Sequence, residues 1–287
     1  MTRLLVTGAG GQLGTELVAV AQSRGLECVG VTHADLDIVD ADATVAVVES
    51  VRPTLIIHGA AWTAVDNCET DPAKALAVNG HGSAHVVEAA RRVGARVIYV
   101  STDYVFDGTK PSPYIESDPT NPVSSYGRSK LTGEHAMSGD DAIVRISWVC
   151  GYTGGNMVKT ILRIAENQDL LSFVDDQHGH PTFADDAAAR IVDLALADVT
   201  GIWHVTNQGA VSWFQFAREV LIAAGLDPER VRPIMTADLQ PPRPAPRPAN
   251  SVLENRAMTN AGWALLDDFR VPLKRLVNRL LSESNKT

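Results

Sequence analysis

Short, largely apolar runs alternate with amphipathic stretches of helical length over the first half of the chain. Residues 4–6, 28–31, 55–57, 97–100 and 143–146 form the apolar runs, and runs of this kind predict strands buried on both faces. Helices are predicted between them near residues 12–23, 44–50, 72–92 and 124–137. Strands joined through helices run parallel, so the expected fold is α/β, a doubly wound parallel sheet. After about residue 148 the pattern loosens: Trp148, Gly151, Gly154 and Gly155 mark a departure from the sheet, and residues 185–197 read as one more amphipathic helix. The expected division is a sheet domain over 1–147, completed by about 174–200, and a smaller C-terminal lobe from 148–173 and 201–287. No apolar run reaches the length of a membrane span, and residues 4–6 are too short for the core of a signal peptide.

The first apolar run leads directly into Thr7-Gly8-Ala9-Gly10-Gly11-Gln12-Leu13-Gly14 and then into a helix whose inner face carries Leu13, Leu17 and Val20. Glycines at 8, 11 and 14 remove Cβ atoms where a phosphate must approach backbone amides and where helix and strand must pack closely. Within a strand-turn-helix unit this spacing predicts a dinucleotide pyrophosphate site; the plain alternative is a tight turn. An NAD-specific site places a carboxylate at the end of the second strand, where this chain has Val31-Thr32-His33. Thr32 and His33 can donate to a 2′-phosphate, so NADPH is the expected cofactor, with NADH acceptance left open. Asp37, in Leu36-Asp37-Ile38, is a candidate for the adenine amino group or a loop-capping acid.

Tyr126 and Lys130, four residues apart in a predicted helix, share one face. Ser101-Thr102 follows the fourth apolar run, and the carboxyl ends of parallel strands are where such sheets bind ligands. A free tyrosine with a pKa near 10 must fall by roughly 3 units, about 4 kcal/mol, to be an efficient acid at neutral pH. Lys130 is the expected source of that shift and a ligand of the nicotinamide ribose; Thr102 is expected to hydrogen-bond the carbonyl oxygen and the phenol. The bland alternative for Tyr126 and Lys130 is a surface pair.

Taken together, the blocks at 7–14, 60–66, 78–79, 101–108, 126–134, 145–148 and 247–253 resemble, in order and over nearly the whole chain, the extended short-chain dehydrogenase/reductases. Within them the resemblance is to the dTDP-4-dehydrorhamnose reductases. It implies a Rossmann-type cofactor domain with a substrate-binding lobe. It also implies NADPH-dependent reduction of the 4-keto group of a dTDP-linked 6-deoxyhexose, dTDP-4-dehydro-L-rhamnose, to dTDP-L-rhamnose. On this resemblance Gly11, Gln12 and Leu13 meet the cofactor pyrophosphate, with Gly8 and Gly14 shaping the turn. Asp37 and Ile38 meet the adenosine end, and Ala61, Trp62 and Thr63 the cofactor beyond the third strand. Tyr126 is the proton donor with Lys130 and Thr102; the nucleotide sugar meets Thr102, Asp103 and Trp148, with Val65 and Tyr104 as lining. Some members are dimers bridged by magnesium; Glu16 matches one such position and Asp185-Asp186 lies near others, so a metal and a homodimer are left uncommitted.

Composition narrows the classes. The 287 residues are 45% hydrophobic and 21% charged, an ordinary globular balance. Lys+Arg 25 against Asp+Glu 34 gives a net charge of −9 without a basic stripe, which argues against nucleic acid but leaves room for an anionic small molecule at local cations and helix N-termini. Three widely separated cysteines, Cys28, Cys68 and Cys150, lack metal-ligand spacing and fit a reducing cytoplasm. His178-Gly179-His180 lacks a third ligand and reads as a turn before Pro181. The proline-rich run 241–248 cannot be helix or central strand, since its prolines lack amide donors. It is a linker or a stiff arm whose Arg243 and Arg247 are phosphate candidates. A dehydratase of this fold has Asp-Glu after its Ser/Thr, where Thr102 is followed by Asp103-Tyr104. The residues leave room for another nucleotide-sugar reductase or an epimerase of the same fold, and for a non-catalytic NADP-binding regulatory subunit.

Overall fold

Strands β1 (Arg3–Thr7), β2 (Glu27–Val31), β3 (Leu55–His58), β4 (Arg96–Thr102) and β5 (Ala142–Ile146) form where the apolar runs place them, in a computed structural model that describes residues 2–284. Helices α1 (Gln12–Ser23), α2 (Ala41–Val51), α3 (Val65–Thr70), α4 (Pro72–Ala75), α5 (Ser83–Val93) and α6 (Ser125–Glu134) connect them. The second half carries β6 (Val149–Cys150), α7 (Met157–Asn167), β7 (Leu171–Val174), β8 (His178–Gly179), β9 (Thr182–Phe183) and α8 (Ala184–Leu196). It continues through β10 (Gly201–His204), β11 (Val211–Ser212), α9 (Trp213–Ala223), β12 (Val231–Ile234), α10 (Arg256–Asn260) and α11 (Arg270–Ser284).

Six strands make one sheet in the order β10-β5-β4-β3-β1-β2, and every pairing in it is parallel. Side-chain alternation sorts its two faces. Leu4, Val6, Ile57, Ile98 and Val144 pack with Leu17 of α1 and Ile191 and Val192 of α8. Leu5, Ile56 and Val97 pack with Val48 of α2 and Val86, Ala89 and Ala90 of α5 on the other face. The lobe has its own core, in which Ile161, Phe216, Val220, Phe269 and Val277 bring α7, α9 and α11 together. No helix among the described residues is long and apolar enough to cross a membrane.

Two departures from the expected elements bear on function. The sixth strand, β10, lies beyond residue 200, in the stretch assigned to the lobe, and α10 returns to that face through buried Met258. The expected helix over 72–92 is interrupted: residues Leu76–Gly82 wind as a π-helical turn between α4 and α5, the widened geometry that recurs at functional sites. It points Asn79 inward, where its side-chain oxygen accepts from the Trp62 amide at 2.7 Å and its nitrogen donates to the Trp62 carbonyl at 3.0 Å and to Ser129 Oγ at 3.0 Å. One buried amide thus ties the loop after β3 to α6.

Candidate active site

The chain leaves β1 toward β2 on one side, while β3 leads to β4 on the other, so a crevice opens beyond the carboxyl ends of β1 and β3. The glycine turn forms one wall. Gly8 has φ +73°, and a Cβ there would stand 2.7 Å from the Ala60 nitrogen; a Cβ on Gly14 would stand 2.0 Å from the Gly8 carbonyl oxygen. Side chains are therefore excluded by contact, and α1 sits directly on the turn. Gly11 caps α1 without a side-chain acceptor, which leaves first-turn amides for an anion. The Gln12 side chain is engaged elsewhere, donating to the Gly155 carbonyl at 3.0 Å and accepting from Asn156 Nδ2 at 3.0 Å, so it staples the start of α1 to the lobe.

A cleft of about 1450 Å³ runs from this turn across the sheet edge to the lobe. Gly8, Gly11, Gln12, Leu13, Gly14, Asp37, Ile38, Ala61, Trp62 and Thr63 line it, as do Val65, Thr102, Asp103, Tyr104, Tyr126, Lys130 and Trp148. At its adenosine end the structure departs from expectation. Thr32 donates both its amide, at 2.9 Å, and its hydroxyl, at 2.7 Å, to the Asp35 carboxylate. These bonds hold the exposed Asp35 carboxyl below its ordinary pKa. The Thr32 hydroxyl is thus committed, and a carboxylate outside the 31–33 stretch stands beside it. Asp37 caps its own loop, accepting from the Val39 amide at 3.1 Å.

Thr102 ends β4 and caps the single turn that follows it, its Oγ1 accepting from the Tyr104 amide at 3.2 Å and donating to Asp103 Oδ1 at 2.9 Å. Ser124 caps α6 by accepting from the Gly127 amide at 3.1 Å, and this start places Tyr126 and Lys130 on the cleft face. Gly127 permits the approach, since a Cβ there would stand 2.2 Å from the Tyr104 carbonyl oxygen. Tyr126 is 8% exposed, and the Tyr104 ring meets it edge-on at 5.6 Å. Lys130 donates to the Val100 carbonyl at 2.7 Å and stands 4.1 Å over the Tyr99 ring.

The electrostatics differ from the sequence expectation for this pair. Burial raises the Tyr126 phenol above its ordinary pKa, and a hydrogen bond with Thr102 only partly opposes it. Burial also pushes Lys130 down to about 7, with Glu134 opposing. Desolvation outweighs mutual stabilisation, so the phenol stays protonated and Lys130 is poised near neutrality. His58 beneath them is held neutral, pushed down to about 3 by burial and then by Lys130. Its Nδ1 meets the Thr7 hydroxyl at 2.7 Å and its Nε2 the Ser83 hydroxyl at 3.0 Å.

At the lobe end, Trp148 adopts φ +44° and stacks face to face on Trp213, with centroids 3.5 Å apart and planes 8° apart. One indole face expected to cover the sugar is therefore taken by Trp213, which itself lines the cleft and is absent from the sequence candidates. Its only local signal is the capping box of Ser212 and Gln215, which fixes a helix start at Trp213 without assigning it a role. The proline-rich arm is docked rather than free. Arg247 forks onto Asp66 at 2.6 and 2.7 Å, and the Ala245 amide donates to the same carboxylate at 3.1 Å. Arg247 is thus paired with Asp66, while Arg243 remains exposed on the arm. Arg243→Gln is expected to raise the KM for a nucleotide-sugar substrate about 10-fold, roughly 1.4 kcal/mol, and to leave that for NADPH unchanged; steady-state kinetics with each varied in turn checks this.

The acidic candidates of α8 are paired within the chain. Asp185 and Asp186 both bind Arg275, at 2.7 and 2.6 Å. Glu16 is raised above its ordinary pKa by burial and then by Asp185. Among the described residues no group of three or more His, Cys, Asp or Glu is arranged to hold a metal ion. His178 pairs β8 with β11 and donates its amide to the Ala249 carbonyl at 2.8 Å, so it anchors the arm; His180 is buried and pushed down to about 4 by desolvation.

Comparison with known proteins places these features in a family. Residues 1–282 match the family described as the RmlD substrate binding domain. A dTDP-4-dehydrorhamnose reductase from Mycobacterium tuberculosis is 42% identical, over 99% of this chain and 94% of that protein. One from Streptomyces griseus is 41% identical, over 94% and 91%. The crystal structure of a dTDP-4-dehydrorhamnose reductase from Clostridium acetobutylicum superposes with a TM-score of 0.93 at 35% identity, over 97% of this chain and 99% of the other. One from Bacillus anthracis, solved in complex with NADP, gives 0.90 at 33% identity, over 97% and 99%. With a match that spans both the glycine turn and the Tyr126–Lys130 helix, the chain belongs to the dTDP-4-dehydrorhamnose reductase family.

Proposed function

We propose that the protein reduces the 4-keto group of dTDP-4-dehydro-L-rhamnose to give dTDP-L-rhamnose, with NADPH as reductant. The observation that carries this reading is a buried phenol held in its protonated form beside Thr102, in the same cleft as an uncapped, glycine-lined helix N-terminus. The cleft residues fit a dinucleotide: first-turn amides at Gly11–Leu13 for the pyrophosphate, Asp37 and Ile38 for the adenosine, and Ala61, Trp62 and Thr63 beyond β3. When bound, NADPH supplies the hydride. Thr102 orients the ketone oxygen, Tyr126 gives it a proton, and Lys130 lies one helical turn away to bind ribose hydroxyls. The three cysteines are free thiols, which suits a cytoplasmic enzyme.

The test is NADPH oxidation by the purified protein with enzymatically generated dTDP-4-dehydro-L-rhamnose. One NADPH consumed per sugar supports the reading; turnover without net consumption would establish a redox-neutral epimerase instead. At the adenosine end, Asp35→Ala frees the Thr32 hydroxyl and removes a negative charge near the position of a 2′-phosphate. It is expected to lower the NADPH KM about 3-fold, roughly 0.6 kcal/mol, within the range of an exposed charge contact, and to leave NADH unaffected. Equal effects on both cofactors would place Asp35 away from the 2′ position.

A further inference from the structure

At the floor of the crevice, where β1 and β3 part, fully buried His58 sits opposite Thr7 in the sheet register. Both ring nitrogens are engaged, Nδ1 with the Thr7 hydroxyl at 2.7 Å and Nε2 with the Ser83 hydroxyl at 3.0 Å. Two hydroxyl partners alone do not say which nitrogen carries the hydrogen. Here the next bond along does. Ser83 Oγ lies 2.6 Å from the Asn79 carbonyl oxygen and donates to it; with its one hydrogen turned away, two oxygens would face each other at that distance. Ser83 therefore accepts from the ring, and Nε2 holds the hydrogen. The other groups that meet the ring are Tyr99 of β4, stacked at 5.5 Å, and Lys130 of α6, whose charge opposes a second one on the imidazole. The ring is neutral and Nδ1 keeps its lone pair. Thr7 must then donate to Nδ1, which leaves its oxygen to accept from the Ala60 amide at 3.3 Å.

Ala60 is where this direction matters. Its nitrogen is the atom that a Cβ on Gly8 would meet at 2.7 Å, so the position of Ala60 sets the gap to the glycine turn. From Ala60 the chain runs into Ala61, Trp62 and Thr63, all on the cleft wall. The Asn79 that takes the Ser83 hydroxyl on its carbonyl also holds both backbone groups of Trp62 through its side chain. One run of buried hydrogen bonds thus grips the 60–62 segment at both ends, and His58 is its middle member. Resting on the reductase reading, we infer that His58, locked with its hydrogen on Nε2, is a positioning residue for the cofactor: it turns the Thr7 hydroxyl so that Thr7 receives the Ala60 amide, and thereby holds the 60–62 wall at the distance from the glycine turn that NADPH requires. His58 itself does not line the cleft, so its effect on binding is exerted through Thr7 and Ala60.

Imidazole nitrogen-15 NMR of the wild type, with the His58 signals identified by their loss in His58→Asn, reads the tautomer directly. The expected spectrum has hydrogen on Nε2 and no titration between about pH 5.5 and 8. Fluorescence titration with NADPH reads the consequence. His58→Phe keeps a ring against Tyr99 but neither nitrogen, and is expected to raise the NADPH Kd about 10-fold, the scale of one hydrogen bond. His58→Asn returns an amide oxygen near the place of Nδ1, so Thr7 keeps an acceptor and the rise should stay below about 3-fold. Ser83→Ala leaves the ring intact and removes the oxygen that selects the tautomer; it should shift hydrogen partly to Nδ1 and weaken NADPH about 3-fold, and it decides the matter should His58→Phe fail to fold. The KM for the nucleotide sugar should move much less than the NADPH Kd in each variant. Hydrogen on Nδ1 in the wild type would overturn the inference. So would a folded His58→Phe that binds NADPH like the wild type, which would leave His58 a residue of stability alone, or one that binds it no worse than His58→Asn. A wild type that binds NADPH but oxidises none with dTDP-4-dehydro-L-rhamnose would end the reductase reading instead, while the tautomer and the Kd ratios, read without turnover, still decide the role of His58 in holding the cofactor wall.

Discussion

Tyr126→Phe is expected to lower kcat about a thousand-fold while the protein stays folded and binds NADPH as before. The magnitude follows from what is removed. Proton donation by a positioned side chain contributes typically 10²–10⁴-fold, and a thousand-fold loss is roughly 4 kcal/mol of transition-state stabilisation. The ring itself packs among Cys68, Ala75 and the edge of Tyr104, contacts that Phe reproduces. The phenol is held protonated by burial, so its loss leaves the alkoxide without an acid rather than exposing a buried charge. KM for the nucleotide sugar should change less than 3-fold, because Thr102, Trp148 and Trp213 remain. A variant that keeps more than a tenth of wild-type kcat would move the proton-donor role to another group.

What can be read from the chain is what is local. The glycine turn at 8–14 and the pairing of Tyr126 with Lys130 each lie within a dozen residues, where the steric and helical rules that produce them act. The cleft assembles those segments because both sit at carboxyl ends of strands in one parallel sheet, which the apolar runs already specify. Features that depend on distant partners are illegible. Asp66 and Arg247 are 181 positions apart, so the arm's two arginines look alike in sequence, although one is paired and the other exposed. Trp213 reaches Trp148 from a different helix. The Thr32–Asp35 contact escapes for another reason: it is local, but a side chain folding back on the backbone competes with outward contacts, and the strand-end position alone does not reveal that competition. The shift at Tyr126 runs opposite to the sequence expectation because sequence shows the neighbouring charge and hides the desolvation.

Beneath Lys130 lies the arrangement with the largest consequence for stability. Glu134, one turn further along α6, accepts from Arg145 Nε at 2.9 Å and Nη2 at 2.6 Å, and from Ser101 Oγ at 2.5 Å. The Arg145 and Glu134 side chains are 2% and 4% exposed, and Arg145 Nη1 is left without a partner. Removing the carboxylate therefore strands a guanidinium that already lacks one hydrogen bond. Breaking such a buried pair costs about 3–5 kcal/mol, so Glu134→Ala is expected to lower Tm by about 10 °C and to lose activity in proportion to the unfolded fraction. Replacing both members, as in Glu134→Gln with Arg145→Met, removes the charge with its partner and should recover much of that stability. The double variant then exposes the second role of Glu134, which opposes the burial that pushes Lys130 down. Without it Lys130 loses its proton at lower pH, so the alkaline limb of kcat/KM should move acidward in the refolded double variant. A double variant with the wild-type pH profile would confine Glu134 to holding α6 against β5; a single Ala variant as stable as wild type would show that water or local relaxation offsets the cost of the unpaired arginine.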